Sequence, residues 1–191
     1  GLALKQTGNR VLLLDSQRFY LRGLCFYDAG SRSFYTKERP VHRPEDLQGL
    51  KIRVQESVTA MNMVRSLGGA PTPISWGELY TALQQGVVDG AENNPPSFYT
   101  SRHYEVCKYY SLNEHTAVPD VLIISTTVWN SLSEQERQWL QEAADESVVY
   151  QRRIWKEASD EALAEVKKAG VEVIYPEKEA FAEEVEAMLQ E

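Results

Sequence analysis

In the stretch "LKIRVQES", Leu50, Ile52 and Val54 alternate with polar neighbours, the period-2 pattern of a strand. At Ser57 the period changes. Val58, Met61, Val64 and Leu67 recur at helical spacing, Ser57 is placed to cap that helix, and Gly68-Gly69 ends it. "PTPIS" returns to an extended segment. Ser75 and Glu78 have the spacing of a capping box for a second helix carrying Leu79, Ala82 and Leu83, closed by Gly86. Val87 to Glu92 reads as a third extended run, stopped by Pro95-Pro96. The order β-α-β-α-β predicts an α/β fold with a parallel sheet and right-handed crossovers. Upstream, Gly1 to Asp28 reads as strand material, with "RVLLLDS" and "RGLCFYD" as the candidate strands. Pro40 to Gly49 is a connector in which Pro44 is suited to open a short helical turn.

The C-terminal third carries one long pattern. Ser133 and Glu136 form a second capping-box signature, and neither Pro nor Gly occurs from there to Gly170. Trp139, Leu140, Ala143, Val148, Val149, Ile154, Trp155 and Ala158 keep an approximate helical spacing. One helix over this span has about 36 residues and a length of about 54 Å, longer than a small domain is wide. Two readings stand: a single helix bridging two lobes, or two helices with a break near Glu157–Asp160. A strand at "VEVIYP" and a helix at "EAFAEEVEAMLQE" follow.

Composition narrows the function classes. A chain of 191 residues suits one large domain or two small ones, and 42% hydrophobic with 25% charged residues is ordinary globular composition. A net charge of −8 argues against nucleic acid, which needs clustered Lys and Arg. No apolar run approaches the roughly 20 residues of a membrane span, and the first residues, "GLALK", lack a signal-peptide pattern. Cys25 and Cys107 either bridge in an oxidising compartment or serve as small buried hydrophobes.

Candidate chemistry gathers at the strand ends. In an open parallel sheet, ligands bind at the carboxyl ends of the strands, where helix N-termini also point. Arg53 ends the first strand, Trp76 follows the second, and Glu92, Asn93 and Asn94 end the third. Together they offer a carboxylate clamp, a stacking surface and amides that read hydroxyls. An Arg suits the clamp because its planar fork meets a carboxylate with two parallel bonds. Equally, Arg53 can pair with one of the 28 acidic residues and Trp76 can be core. The chain has none of the nucleophile-elbow, zinc-protease, P-loop or dinucleotide motifs. His42, His103 and His115 are too scattered for a metal site by spacing. Asp28, Glu56, Glu92 and Asp120 offer acid–base pairs only in the way that any acidic chain does.

The stretches "GLCFYDAGSRSFYTKERPV", "PEDLQGLKIRV" and "GGAPTPISWGELYTALQQGVVDGAENNP", with the region 122–140, resemble solute-binding proteins of TRAP (tripartite ATP-independent periplasmic) transporters over nearly the whole chain. The resemblance implies a two-lobed periplasmic-binding-protein fold with a very long helix across both lobes. It places the carboxylate-gripping Arg at Arg53, a second Arg at Arg32, the aromatic before "x-E-L-Y" at Trp76 and the Asn after "D-G-x-E" at Asn93. His115, in "NEHTAVP", matches a family histidine near the hinge, with Glu92 as its partner.

Several further expectations follow from the resemblance. Family members are longer, so the chain is expected to be a fragment that begins where the first lobe is half built. Residues 1–30 and 120–159 are expected in lobe I with the first part of the bridging helix, and 31–119 with 160–191 in lobe II. The implied role is ligand capture in the periplasm by a monomer, delivery to a small and a large membrane subunit, no cofactor, and no enzymatic step. Glu56, Asn93, Asn94 and His115 lie near the clamp in sequence order and outnumber cations, which favours one carboxylate with several hydroxyls. "GAENNPPSFYTS" and "GLCFYDAGSRSFY" look most like relatives that bind glucuronate and galacturonate. A hexuronate is therefore the expected ligand. A C4-dicarboxylate or other organic acid of the same transporter class, or a binding lobe of an ATP-driven importer, is the alternative.

Overall fold

The computed structural model describes residues 16–117 and 119–189. The strands in chain order are β1 (Leu21–Tyr27), β2 (Ser31–Thr36), β3 (Lys51–Val54), β4 (Ala70–Pro73), β5 (Gly90–Asn93), β6 (Tyr109–Ala117), β7 (Asp120–Ser125) and β8 (Glu172–Ile174). The α-helices are α1 (Val58–Ser66), α2 (Trp76–Gln85), α3 (Pro95–Thr100), α4 (Thr126–Ser131), α5 (Glu134–Lys168) and α6 (Lys178–Leu189). The chain is α/β and divides into two compact units, one of residues 1–29 and 118–156, the other of 30–117 and 157–191. The expected strand "RVLLLDS" lies outside the described residues except for Ser16, which opens a 3-10 turn.

The first unit holds an antiparallel pair, β1 and β7, with a register shift between Gly23 and Cys25. Leu24, Cys25 and Ala144 form its buried centre, packed by Leu122, Ile124, Trp129, Leu140 and Val148. Helix α5 is continuous for 35 residues, so the two-helix alternative is overturned. Its N-terminal box forms as the spacing predicts. The Ser133 N–H donates to Glu136 Oε2 at 2.7 Å, and the Glu136 N–H donates to Ser133 Oγ at 3.3 Å. Lys167 and Lys168 end the helix, where cations complement the exposed carbonyls.

The second unit is built on a six-stranded sheet in the order β4-β3-β5-β2-β6-β8. β3 runs parallel to both β4 and β5, as the β-α-β-α-β pattern requires. The sheet as a whole is mixed, because β2 runs antiparallel to β5 and β6. Strand alternation splits the core in two. Phe34, Ile52, Val54, Met63, Val64, Leu67 and Phe181 pack on one face under α1 and α6. Tyr35, Leu79, Leu83, Ala91, Phe98, Tyr110 and Val166 pack on the other under α2, α3 and the end of α5.

Two local expectations are corrected. Val58 is exposed and Met63 buried, so the stripe of α1 is rotated from the one expected; Ser57 does cap that helix, accepting from the Ala60 N–H. Ser75 makes no side-chain cap to the α2 backbone; its hydroxyl donates to the Glu78 carboxylate at 2.6 Å instead. Pro95-Pro96 ends β5 and also starts α3, with Asn94 Oδ1 accepting from the Ser97 N–H at 2.9 Å. Cys25 and Cys107 are both buried and free, so no bridge forms between them.

Candidate ligand-binding site

Strand β3 sits between β4 and β5; the chain leaves β3 through α1 toward β4 on one side, and leaves β5 through α3 toward β6 on the other. That arrangement is a topological switch point, the place where α/β sheets leave a crevice at their strand ends. Arg53 occupies it, opposite Thr72 on one side and Ala91 on the other. Because Ile52 and Val54 face the α1 layer, Arg53 turns to the face that carries Tyr35 and Ala91.

The Arg53 side chain is 3% exposed, yet it is not neutralised. Its Nε donates to the Ile74 carbonyl at 2.8 Å, and its guanidinium carbon lies 5.5 Å from the centre of the Trp76 ring. Buried Nη1 has no hydrogen-bond partner. Among the described residues, no carboxylate lies within ion-pair distance of this guanidinium. Desolvation accordingly lowers its pKa from the usual arginine value. Trp76 is 44% exposed at the first turn of α2, so it is no core residue.

A second group adjoins this one. Arg32 holds Glu92 through Nε and through Nη2, the latter donating to Oε1 at 2.7 Å and to the Glu92 carbonyl at 2.9 Å. Its Nη1 donates to Asn93 Oδ1 at 3.1 Å. Burial opposes the Glu92 charge, but His115 and Arg32 outweigh it and hold the carboxyl below its ordinary pKa. The same pair raises Arg32 despite its own desolvation. The His115 ring is wholly buried, stacked on Phe34 at 4.3 Å, with Nε2 3.5 Å from Glu92 Oε2. Burial pushes its pKa down against the pull of Glu92.

Of the residues expected at the site, Arg53 and Trp76 therefore meet, and Arg32, Asn93 and His115 meet around Glu92. Arg32 is spent on Glu92 in this state. Asn93 accepts from Arg32 and from the Asn94 N–H, which leaves its Nδ2 as a donor. Glu56 is exposed and makes no hydrogen bond or ion pair among the described residues. His115 also lines a separate cavity of about 310 Å³ with Asn113, Lys178, Phe181 and Val185, which touches neither Arg53 nor Trp76.

Sequence reasoning missed His103 and Tyr35. His103 Nδ1 shares a 2.8 Å hydrogen bond with the Tyr35 hydroxyl, and its ring stands edge-on to Trp76 at 5.1 Å. Tyr110, on β6, donates to the Asn93 carbonyl at 2.9 Å and so fixes the end of β5. The signal for Tyr35 was the Phe34-Tyr35 step inside a strand; His103 had none beyond its proximity to Pro95-Pro96. Among the described residues, no cluster of His, Cys, Asp or Glu is arranged to hold a metal.

Residues 6–191 match the bacterial extracellular solute-binding protein family 7, DctP. The chain belongs to the DctP family. A "Solute-binding protein" of Chromohalobacter salexigens is 41% identical over 150 residues, covering 78% of this DctP-family chain and 45% of the relative. A crystal structure of a TRAP periplasmic solute-binding protein from Xanthobacter autotrophicus, with bound β-D-galacturonate, is 43% identical with a TM-score of 0.88. One from Chromohalobacter salexigens with bound D-glucuronate is 36% identical with a TM-score of 0.90. Each alignment covers 94% of this chain and 60% of the solved one. The chain spans about half the length of the curated relatives it matches.

Proposed function

We propose that this chain is part of a TRAP-transporter solute-binding protein that captures a hexuronate, glucuronate or galacturonate, with the ligand carboxylate on Arg53. The observation that carries the reading is the buried, unpaired guanidinium. Holding such a charge away from water costs several kcal/mol unless an anion compensates it. A carboxylate that meets Nη1 supplies both the charge and the missing acceptor. Trp76 beside it offers a half-exposed aromatic face suited to the C–H side of a pyranose ring. Asn93 Nδ2 is a donor for a hydroxyl.

The charge count favours a monoanion. Arg32 is compensated by Glu92, and His103 is held neutral by burial and by Arg53, its pKa pushed down to about 4. Among the described residues around this site, that leaves Arg53 as the uncompensated cation, so a dicarboxylate meets no second cation among them. The solved relatives with bound D-glucuronate and β-D-galacturonate support the same class.

In this reading the protein works in the periplasm, as relatives described as periplasmic binding proteins do. It passes its ligand unchanged to TRAP membrane subunits, and needs no cofactor. Thermal-shift and calorimetric titration of the protein at its natural length decide the ligand. Glucuronate or galacturonate is expected to raise Tm and bind with a single site. Stabilisation by succinate or malate, with no effect of either hexuronate, overturns the assignment.

A further inference from the structure

His103 is held on three sides by the candidate site without being one of its charged or exposed members. It is 1% exposed and opens the 3-10 turn His103–Glu105. The residue before it, Arg102, adopts a left-handed φ of 58°, a conformation that costs a side-chain-bearing residue about 1 kcal/mol. This kink turns the His103 ring inward, while Arg102 and Glu105 stay at the surface as a 3.6 Å pair. From β2, the Tyr35 hydroxyl bonds Nδ1 and fixes the ring plane. From α2, the Trp76 ring presents itself at 61° to the imidazole, an edge-to-face contact. From β3 comes the positive charge of Arg53.

The geometry points to His103 as the positioning residue of the stacking surface: with Tyr35 behind it, its ring sets the angle at which Trp76 stands beside Arg53. Trp76 lies in the first turn of a helix and is 44% exposed, so its backbone alone leaves the indole free to change rotamer. The imidazole edge removes that freedom before any ligand arrives, and preorganisation of this kind appears as affinity. A neutral ring serves best here, because an imidazolium beside Arg53 is repelled and shifts away. Burial and Arg53 together keep His103 neutral down to about pH 4. The groups facing it are Tyr35, Arg53 and Trp76; none is a carboxylate that draws a proton onto it.

This inference rests on the hexuronate reading for its binding consequence but not for its geometry, and the experiment separates the two. Without ligand, the Trp76 emission is isolated as the wild-type spectrum minus that of Trp76→Phe. It is expected to be quenched on acidification with a midpoint near pH 4 as the adjacent imidazole protonates, and to lose that step in His103→Asn. Asparagine keeps a polar atom for the Tyr35 hydroxyl and removes the ring. With glucuronate, His103→Asn is expected to weaken binding about tenfold in the wild-type background and to have no further effect in Trp76→Ala. Equal losses in both backgrounds, or a Trp76 emission with no step that depends on His103, overturn the positioning role. If wild-type protein binds no hexuronate, the ligand assignment fails and the emission titration alone decides the role of His103.

Discussion

Replacing Arg53 with Met separates binding from folding in a way that few core substitutions do. In the unliganded protein the guanidinium makes one good hydrogen bond, to the Ile74 carbonyl, and a contact with Trp76 at 5.5 Å. A hydrogen bond from a charged donor contributes about 1.5–3 kcal/mol. A cation–π contact of this kind adds about 0.5–1 kcal/mol. Against these stand a desolvated charge, which costs several kcal/mol, and the orphaned Nη1, which costs about 1–3 kcal/mol. The unfavourable contributions match or exceed the favourable ones. Arg53→Met is therefore expected to leave the unliganded protein as stable as before or about 1–2 kcal/mol more stable. Binding behaves oppositely, because losing one partner of a buried, hydrogen-bonded charge pair costs about 2–5 kcal/mol, or roughly 30-fold to several thousandfold in Kd. Arg53→Lys is expected to fall in the same range, since an ammonium cannot reproduce the fork. Urea denaturation without ligand and calorimetry with glucuronate measure the two quantities. A Met variant that loses more than about 2 kcal/mol of stability while binding normally refutes the reasoning, and Arg53 is then a structural cation.

Two further predictions concern the scaffold. The folded pKa of His103, about 4, lies below its ordinary 6.5, so between those values the unfolded chain takes up a proton that the folded chain refuses. Stability from this group is therefore complete above about pH 6.5 and declines as pH falls, by about 2 kcal/mol at pH 5; the wild-type urea midpoint at pH 5 should drop accordingly, and His103→Phe should flatten that drop. Gly90 lies in β5 where a Cβ would stand 2.4 Å from the Tyr35 carbonyl oxygen and 2.9 Å from Thr36 Cγ2; Gly90→Ala is expected to cost about 1–3 kcal/mol of stability by forcing β2 and β5 apart, and an unchanged Tm would contradict that.

Much of this was legible in the residue pattern, and the exceptions have separate physical causes. The parallel core of β3, β4 and β5 and the unbroken α5 were marked by clean periods and by glycine, proline and capping punctuation. Strands β2, β6 and β7 were missed, and two of them, β2 and β6, carry buried polar residues: Ser33, Thr36, Ser111 and Asn113. Their side chains bond across the sheet, as when Glu114 N–H donates to Ser33 Oγ and Phe34 N–H to Asn113 Oδ1, so polarity there does not mean exposure. The strand-end rule located Arg53 and Trp76 because it depends only on connectivity. It did not show that Arg32 is occupied by Glu92, since a pairing across 60 residues is a property of the antiparallel register of β2 with β5. His103 was invisible for the opposite reason: a single left-handed residue, Arg102, aims it, and no spacing in the sequence announces that turn.

The division of the chain bears on the order in which it is made. Each unit is assembled from two separate segments, with crossings at 29–30, 117–118 and 156–157. A nascent chain that has emerged as far as Ala117 holds β2 to β6 but lacks Val166 and Val171 for its core and β8 for the open edge of β6. It must wait for residues 118–156, which belong to the other unit, before those partners arrive. An unfinished sheet with a bare edge is what aggregation exploits, and the delay is long in synthesis time. The arginine-bearing sheet can therefore close only once residues 166–174 have emerged, well after its other five strands. A holding chaperone acting on the nascent chain is expected to matter more for this protein than for one of equal length whose units follow one another in sequence.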